Sequence, residues 1–298
     1  MDIEGLINAS KGTNLVVTED EKYDFIEKNQ LAEYYVGDFN HLIDHKTLRR
    51  GKKHLLLGTT GSGKSTLARA IAFNIARKKK VMWYSSEEDS EDMKTAISFS
   101  NELPESLRNI EFREENIYLT KYKNDYKSFL NDIIKDFIEN KCEAFFFDNL
   151  TTSAFYEGLK FEEQKDFFMK ISNIFLDLNK PIYFIAHTDA KTKDLQAELF
   201  TANDIRGNKI PAMKCEYIYA YQIINWKAKD DTTSKFNLGA DDTEKKAAFI
   251  RVLKSRQHGN GGNVYLLDFD KDKKKYKGDK LISFEKFKEF YDLRLRLK

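Results

Sequence analysis

Beyond residue 50 the chain alternates short apolar runs with longer stretches in which apolar residues recur every third or fourth position. That rhythm is expected of βα units laid on a mainly parallel sheet. The apolar runs predict strands over residues 53–57, 81–86, 116–119, 143–148 and 181–187, with helical periodicity between them, clearest over 161–178. Past about residue 212 the texture changes. Runs at 216–224, 247–254 and 263–269 follow one another across turn-rich gaps, as adjoining antiparallel strands would. The expected class is therefore α/β: a mainly parallel sheet flanked by helices, with a C-terminal antiparallel extension.

The ends carry different patterns. In residues 1–50, Thr18 and Glu21 have capping-box spacing, followed by Tyr23, Phe25, Ile26, Leu31, Tyr34 and Tyr35. This predicts a helix with an apolar stripe, packed on its own domain or against a neighbouring subunit. At the other end, 271–280 is a basic run expected to be a solvated tip. After it Phe284, Phe287, Phe290, Tyr291, Leu293 and Leu297 are spaced as on a helix. The expected organisation is an N-terminal segment over 1–50, a core over 51–270, and a basic loop with a C-terminal helix over 271–298. Two stretches rich in charge and small polar residues, 189–211 and 227–243, read as long loops, and long loops in a compact domain are often functional.

Composition narrows the picture only a little. Charged residues make up 33% of the 298, but 50 basic and 48 acidic side chains leave a net +2, which argues neither for nor against nucleic acid. Cys142 and Cys215 lie in apolar surroundings without metal-ligand spacing and read as small core residues of a reduced compartment. The N-terminus has no basic region with a long apolar core, and no window nears ~18 uninterrupted apolar residues. A cytoplasmic protein without a membrane span is expected.

The chemistry concentrates at GTTGSGKST, residues 58–66, between an apolar run and a helix-forming run. This reads as a phosphate-binding loop. Gly58, Gly61 and Gly63 let the backbone around Thr59, Thr60 and Ser62 turn its N–H groups onto phosphates, and the helix starting after them adds its positive end. Lys64 would reach the β- and γ-phosphates, Ser65 would bind magnesium, and Thr66 is counted with the loop among the nucleotide-binding residues. ATP with magnesium is the expected ligand.

Phe145, Phe146 and Phe147 lead into Asp148, an apolar strand ending in an acid that could hold the same magnesium through its waters. Asn149 follows it, so a base for the attacking water must come from elsewhere. Glu87 and Glu88 end the 81–86 run; Glu87 is the preferred base and Glu88 the second choice, with helix capping by both as the alternative. His187 ends the 181–187 run and would stand at the carboxyl edge, where open α/β sheets bind ligands. It reads either as a γ-phosphate contact or as a structural strand-end histidine.

Taken in order, GTTGSGKST, VMWYSSEE, FFFDN, FIAHT, DIRGNKIPAMKCEYIYAY and KSRQHGNGGNVYLLDFD resemble the RecA-like core of hexameric DnaB-type replicative helicases. That group includes short RepA-like plasmid and phage versions, and the RadA repair ATPases are related to it. The likeness spans about residues 35–270. It implies a RecA-like ATPase core in which VMWYSSEE ends in the catalytic glutamate. It also implies that Lys254 and Arg256 of the K-x-R motif reach the γ-phosphate held by a neighbouring copy. The glycine-rich segment after Arg256 is one residue longer before its first glycine than the usual spacing. Neither a large N-terminal domain nor a zinc-binding cysteine cluster precedes the core, which fits a short ring ATPase such as a phage or plasmid encodes, at work in the host cytoplasm if viral.

By the same likeness, loops after the Asp148 and His187 strands would line a channel for single-stranded DNA, with Lys191, Lys193, Arg206 and Lys209 as phosphate contacts. The partners implied are single-stranded DNA and further copies in a homo-oligomeric ring, a hexamer by resemblance. Three activities stay open. One is a helicase translocating on single-stranded DNA. Another is a RecA/RadA-like recombination or regulatory ATPase without autonomous unwinding. The third is a P-loop kinase, which offers no role to Lys254 and Arg256.

Overall fold

Four strands are buried at every residue: β3 (Lys53–Gly58), β4 (Val81–Ser85), β6 (Ala144–Asp148) and β7 (Ile182–His187). A strand is buried throughout only when helices cover both faces of its sheet, and such strands read as unbroken apolar runs. The computed structural model describes residues 34–35, 47–48, 51–100, 108–123, 125–189, 201–226, 245–256, 261–270 and 275–295. Among these, nine strands form one sheet in the order β11-β10-β9-β8-β3-β7-β6-β4-β5. The remaining members are β5 (Ile110–Glu114), β8 (Tyr217–Trp226), β9 (Lys245–Ser255), β10 (Val264–Asp270) and β11 (Lys275–Ile282). From β8 to β5 neighbours run parallel, and from β8 to β11 antiparallel. The expected parallel sheet with its antiparallel extension is borne out.

Side chains alternate between the faces. Leu55, Leu57, Phe145, Phe147 and Phe184 join one core with helix α4 (Tyr126–Glu139) and helix α6 (Phe161–Asp177), while Leu56, Trp83, Phe146 and Tyr183 join the other with helix α1 (Lys64–Ala76). The α4 helix begins where the Asp125 carboxylate accepts from the N–H groups of Lys127 and Ser128, and its Phe129 stacks on Phe155 at 4.1 Å. Burying each such ring contributes roughly 1.5–3 kcal/mol. Cys142 and Cys215 are free and buried, and burial raises the Cys142 thiol to about 12.

Several sequence expectations change. Residues 116–119 are not a strand but part of helix α3 (Glu115–Tyr122); the strand is β5 just before it. Exposed Ile117 beside buried Tyr118 shows two sides of a helix, whereas β5, at the sheet edge, is half-buried and carries Arg113 paired with Asp136. The basic run 271–280 is not simply a solvated tip. Residues from Lys275 belong to β11, paired antiparallel with β10, and Tyr276 is buried. Among the described residues β11 is the last strand of the sheet, and lysines are common on edge strands, where they discourage further pairing, so basic composition and strand structure coexist there.

Tyr34–Tyr35 is a short strand, β1, paired with β2 (Thr47–Leu48), and not the end of a helix; the rest of that expected stripe lies outside the described residues. Residues 189–211 are only partly loop. A 3-10 turn at Ala202–Asp204, a bridge between Thr188 and Ile205, and helix α7 (Ile210–Lys214) occupy their second half. Residues 190–200 and the expected loop at 227–243 lie outside the described residues. The C-terminal helix is present as α8 (Phe284–Leu295) and buries Phe287 against Phe249, 5.2 Å between ring centres. Helix α2 (Ser90–Ser100) and the short α5 (Ala154–Glu157) complete the elements.

Candidate active site

Parallel register brings the ends of four strands together. Gly58 stands opposite His187, and Ser85 opposite Asp148. The loops that follow β3, β4, β6 and β7 therefore meet at one carboxyl edge, the ordinary binding edge of such sheets.

Gly61 (φ 69°) and Gly63 (φ 93°) hold backbone angles that side chains disfavour, and Gly63 is the N-cap of α1. At Gly58 packing is the constraint, because a Cβ there would lie 2.8 Å from the Tyr221 carbonyl oxygen. The α1 helix starts without a side-chain cap or an acid in its first turn, so its N–H groups and positive end face the loop uncompensated.

Lys64 is 3% exposed, and its ammonium donates to the Thr59 carbonyl (2.7 Å) and to His187 Nδ1 (3.0 Å). Burial lowers it to about 8, against the pull of Asp148 and Glu87. Since His187 Nδ1 accepts from the ammonium, the ring proton sits on Nε2 and donates to Glu87 Oε1 at 2.8 Å. That bond, reinforced by Thr152 Oγ1 at 2.9 Å, holds the Glu87 carboxyl below its ordinary value although burial opposes it. Lys64, His187 and Glu87 thus form one connected line of donors and acceptors.

Glu88 departs from that line and pairs with Arg69 on α1. Asp148 is fully buried, and neither of its oxygens meets a hydrogen-bond donor. Burial first, then the neighbouring Glu88, pushes it up to about 7, with Ser65 pulling the other way. A buried, donor-free carboxylate beside the Ser65 hydroxyl suits a hard divalent cation with oxygen ligands, which would restore the charge that burial disfavours. The residues present fit magnesium.

Residues not singled out from the sequence hold this arrangement. The Ser86 hydroxyl donates to the Asn149 carbonyl (3.2 Å) and accepts from the Asn149 N–H (3.1 Å). Thr151 Oγ1 donates to Asn149 Oδ1 and accepts from the His187 N–H at 2.9 Å. Behind them buried Glu115 accepts from Tyr84 (2.6 Å), Ser153 (2.5 Å) and the Ala154 N–H (3.0 Å). The available signal was the cluster of hydroxyl residues after Asp148, which reads as an ordinary loop until its partners are known.

The other expected residues stand elsewhere. β9 runs antiparallel to β8 with Lys254 opposite Ile218, so its end lies at the amino edge of the parallel strands, with the Arg256 N–H on the Glu216 carbonyl. The Lys254 ammonium caps α7 through the carbonyls of Ala212 (3.2 Å) and Met213 (2.9 Å), while Arg256 is exposed. At the carboxyl edge, the Arg206 N–H bonds the His187 carbonyl, its guanidinium pairs with Glu157 at 2.8 Å, and Lys209 donates to the Ile205 carbonyl. Lys191 and Lys193 lie outside the described residues.

A family model described as ABC transporter matches residues 44–166, a span holding the glycine-rich loop, Glu87 and Asp148. No curated protein sequence matches the chain. Among solved structures, a KaiC-like protein from the hyperthermophilic archaeon Pyrococcus horikoshii superposes with a TM-score of 0.58 at 15% identity, covering 84% of this chain and 97% of that one. Among the described residues no helix is long and apolar enough to cross a membrane. The chain therefore shares the fold of that structure, and its glycine-rich loop lies inside the span matched by the family model.

Proposed function

We propose that the protein hydrolyses ATP with magnesium at this edge and uses the energy as a homo-oligomeric motor on single-stranded DNA, a helicase of the DnaB/RepA type. The observation that carries the hydrolytic reading is the line from Lys64 through His187 to Glu87, next to donor-free Asp148. In it Lys64 exchanges the Thr59 carbonyl and His187 for phosphate oxygens, and His187, its Nδ1 released, follows the terminal phosphate. Glu87 accepts the proton of the attacking water, and Thr152 keeps its second contact. Magnesium held through Ser65 and Asp148 would neutralise charge on the phosphates.

The oligomeric reading rests on Lys254 and Arg256. Five residues of β3 separate the amino edge, where they stand, from the loop, roughly 16 Å at about 3.3 Å per residue. A phosphate reached by Arg256 therefore belongs to another copy, and a guanidinium there would contribute about 10³–10⁵ in rate. The test is ATP hydrolysis with and without single-stranded DNA over a range of protein concentrations. Stimulation by DNA and specific activity rising with concentration are expected. Unstimulated, concentration-independent turnover refutes the motor.

A second reading is a RecA/RadA-like ATPase that binds DNA without unwinding it; the pairing of Arg206 with Glu157 withdraws one expected phosphate contact from both readings. Displacement of a strand from a forked duplex separates the two readings.

A further inference from the structure

The glycine-rich loop leans on one residue of the antiparallel extension. Tyr221 of β8 sets its carbonyl oxygen 2.8 Å from where a Cβ would stand on Gly58, and its hydroxyl 3.3 Å from where one would stand on Gly63. The first and last glycines of the loop thus meet the main chain and the side chain of the same tyrosine. The phenol is 1% exposed and is held by a hydrogen bond to the hydroxyl of Tyr276, itself buried, on β11. β11 lies against α1, the helix that Gly63 starts. Burial raises Tyr221 to about 12, so the pair stays uncharged at ordinary pH and the contact is a neutral hydrogen bond.

We propose that Tyr276, acting through the hydroxyl of Tyr221, is a positioning residue for the phosphate-binding loop. The pair fixes the Gly63 turn from below, which aims the first N–H groups of α1 and the base of Lys64. The strand furthest from the catalytic glutamate then sets nucleotide affinity without touching nucleotide. A turn at φ 93° has several neighbouring conformations open to glycine, and a buried prop beneath it removes them before ligand arrives. The inference rests on the reading of this loop as the nucleotide site.

Tyr276→Phe and Tyr221→Phe each keep the ring and remove one hydroxyl, so packing survives. Binding of magnesium–ADP is measured by calorimetry for the wild type, both single variants and the double variant, with steady-state hydrolysis and thermal melting alongside. Loss of one neutral hydrogen bond should raise Kd roughly fivefold in either single variant. KM should rise by a similar factor while kcat changes less than twofold, and the double variant should be no worse than either single one. Unchanged Kd with a lowered Tm would show that the pair serves stability alone and overturn the proposal. Losses that multiply in the double variant would overturn the pairing. If wild type itself binds no nucleotide, the reading of the loop fails; if it binds and the variants match it, only this inference does.

Discussion

Glu87 and Glu88 are adjacent in the chain and opposite in surroundings, which is why Glu87 is the one proposed as the base. Glu88 is taken by Arg69, whereas Glu87 meets His187 and Thr152 and lies within electrostatic reach of Lys64. Glu87→Gln should leave nucleotide binding intact and lower kcat by about 10²–10⁴, as loss of a general base does; an unchanged kcat in a stopped assay would remove Glu87 from that role. Free Lys64, lowered to about 8, loses its charge as pH rises through that value. Magnesium–ATP affinity should fall above pH 8, with a proton taken up on binding, which calorimetry in buffers of different ionisation heat would detect.

Asp148 is shifted in the opposite direction. Its folded value of about 7 exceeds the ordinary 3.8, so between those values the folded state holds the extra proton and stability declines as pH rises. Asp148→Asn should therefore melt higher at pH 8, by up to roughly 4 kcal/mol in stability, show no gain at pH 4, and lose magnesium-dependent hydrolysis. A variant no more stable at pH 8 than at pH 4, relative to wild type, would contradict that account. That the loop, Asp148, His187 and the Glu87–Glu88 pair meet at one edge was legible in the sequence, because each ends or follows an apolar run, but which glutamate faces His187 was not. Thr151, Thr152 and Glu115 were not, since a hydroxyl or an acid in a loop signals nothing until the opposite partner is placed.

Elements were legible where burial repeats regularly. The runs that became β4, β6 and β7 are apolar at all but the last position, and β3 has an apolar centre at Leu55, Leu56 and Leu57, because both faces are covered. The reading failed at the margins of the sheet, where one face or one edge meets water. Half-exposed β5 passed unseen in favour of the start of α3, and charged β11 looked like a solvated tip. The same margin supplies a test of the C-terminal helix. Phe287 is fully buried against Phe249, with the Arg251 guanidinium 6.0 Å over its ring. Phe287→Ala should cost about 3–5 kcal/mol and lower the melting temperature. A variant as stable as wild type would show that α8 does not cover the antiparallel strands in solution.

For the molecule entire, the decisive relation is that the phosphate loop and the K-x-R residues occupy opposite edges of one sheet. Arg256→Ala should depress hydrolysis while sparing ATP binding, and adding Lys64→Ala chains should restore activity, because each inactive partner supplies what the other lacks. Mixtures no more active than the sum of their parts would rule out sharing between copies. Lys254 enters this differently from Arg256: its ammonium already caps α7, and burial with the nearby Arg256 lowers its pKa. Replacing it should loosen the approach to β8 as well as any contact across copies, a mixed phenotype that Arg256 variants should not show.

The lysine at the heart of the loop is never without company. Before any phosphate arrives it already has two protein acceptors, so entry of nucleotide is an exchange of companions and departure is the reverse exchange. A buried ammonium stripped of partners would cling to spent product to avoid isolation. Under the proposed function, His187 and the Thr59 carbonyl stand ready to take it back, which would let the pocket release its product.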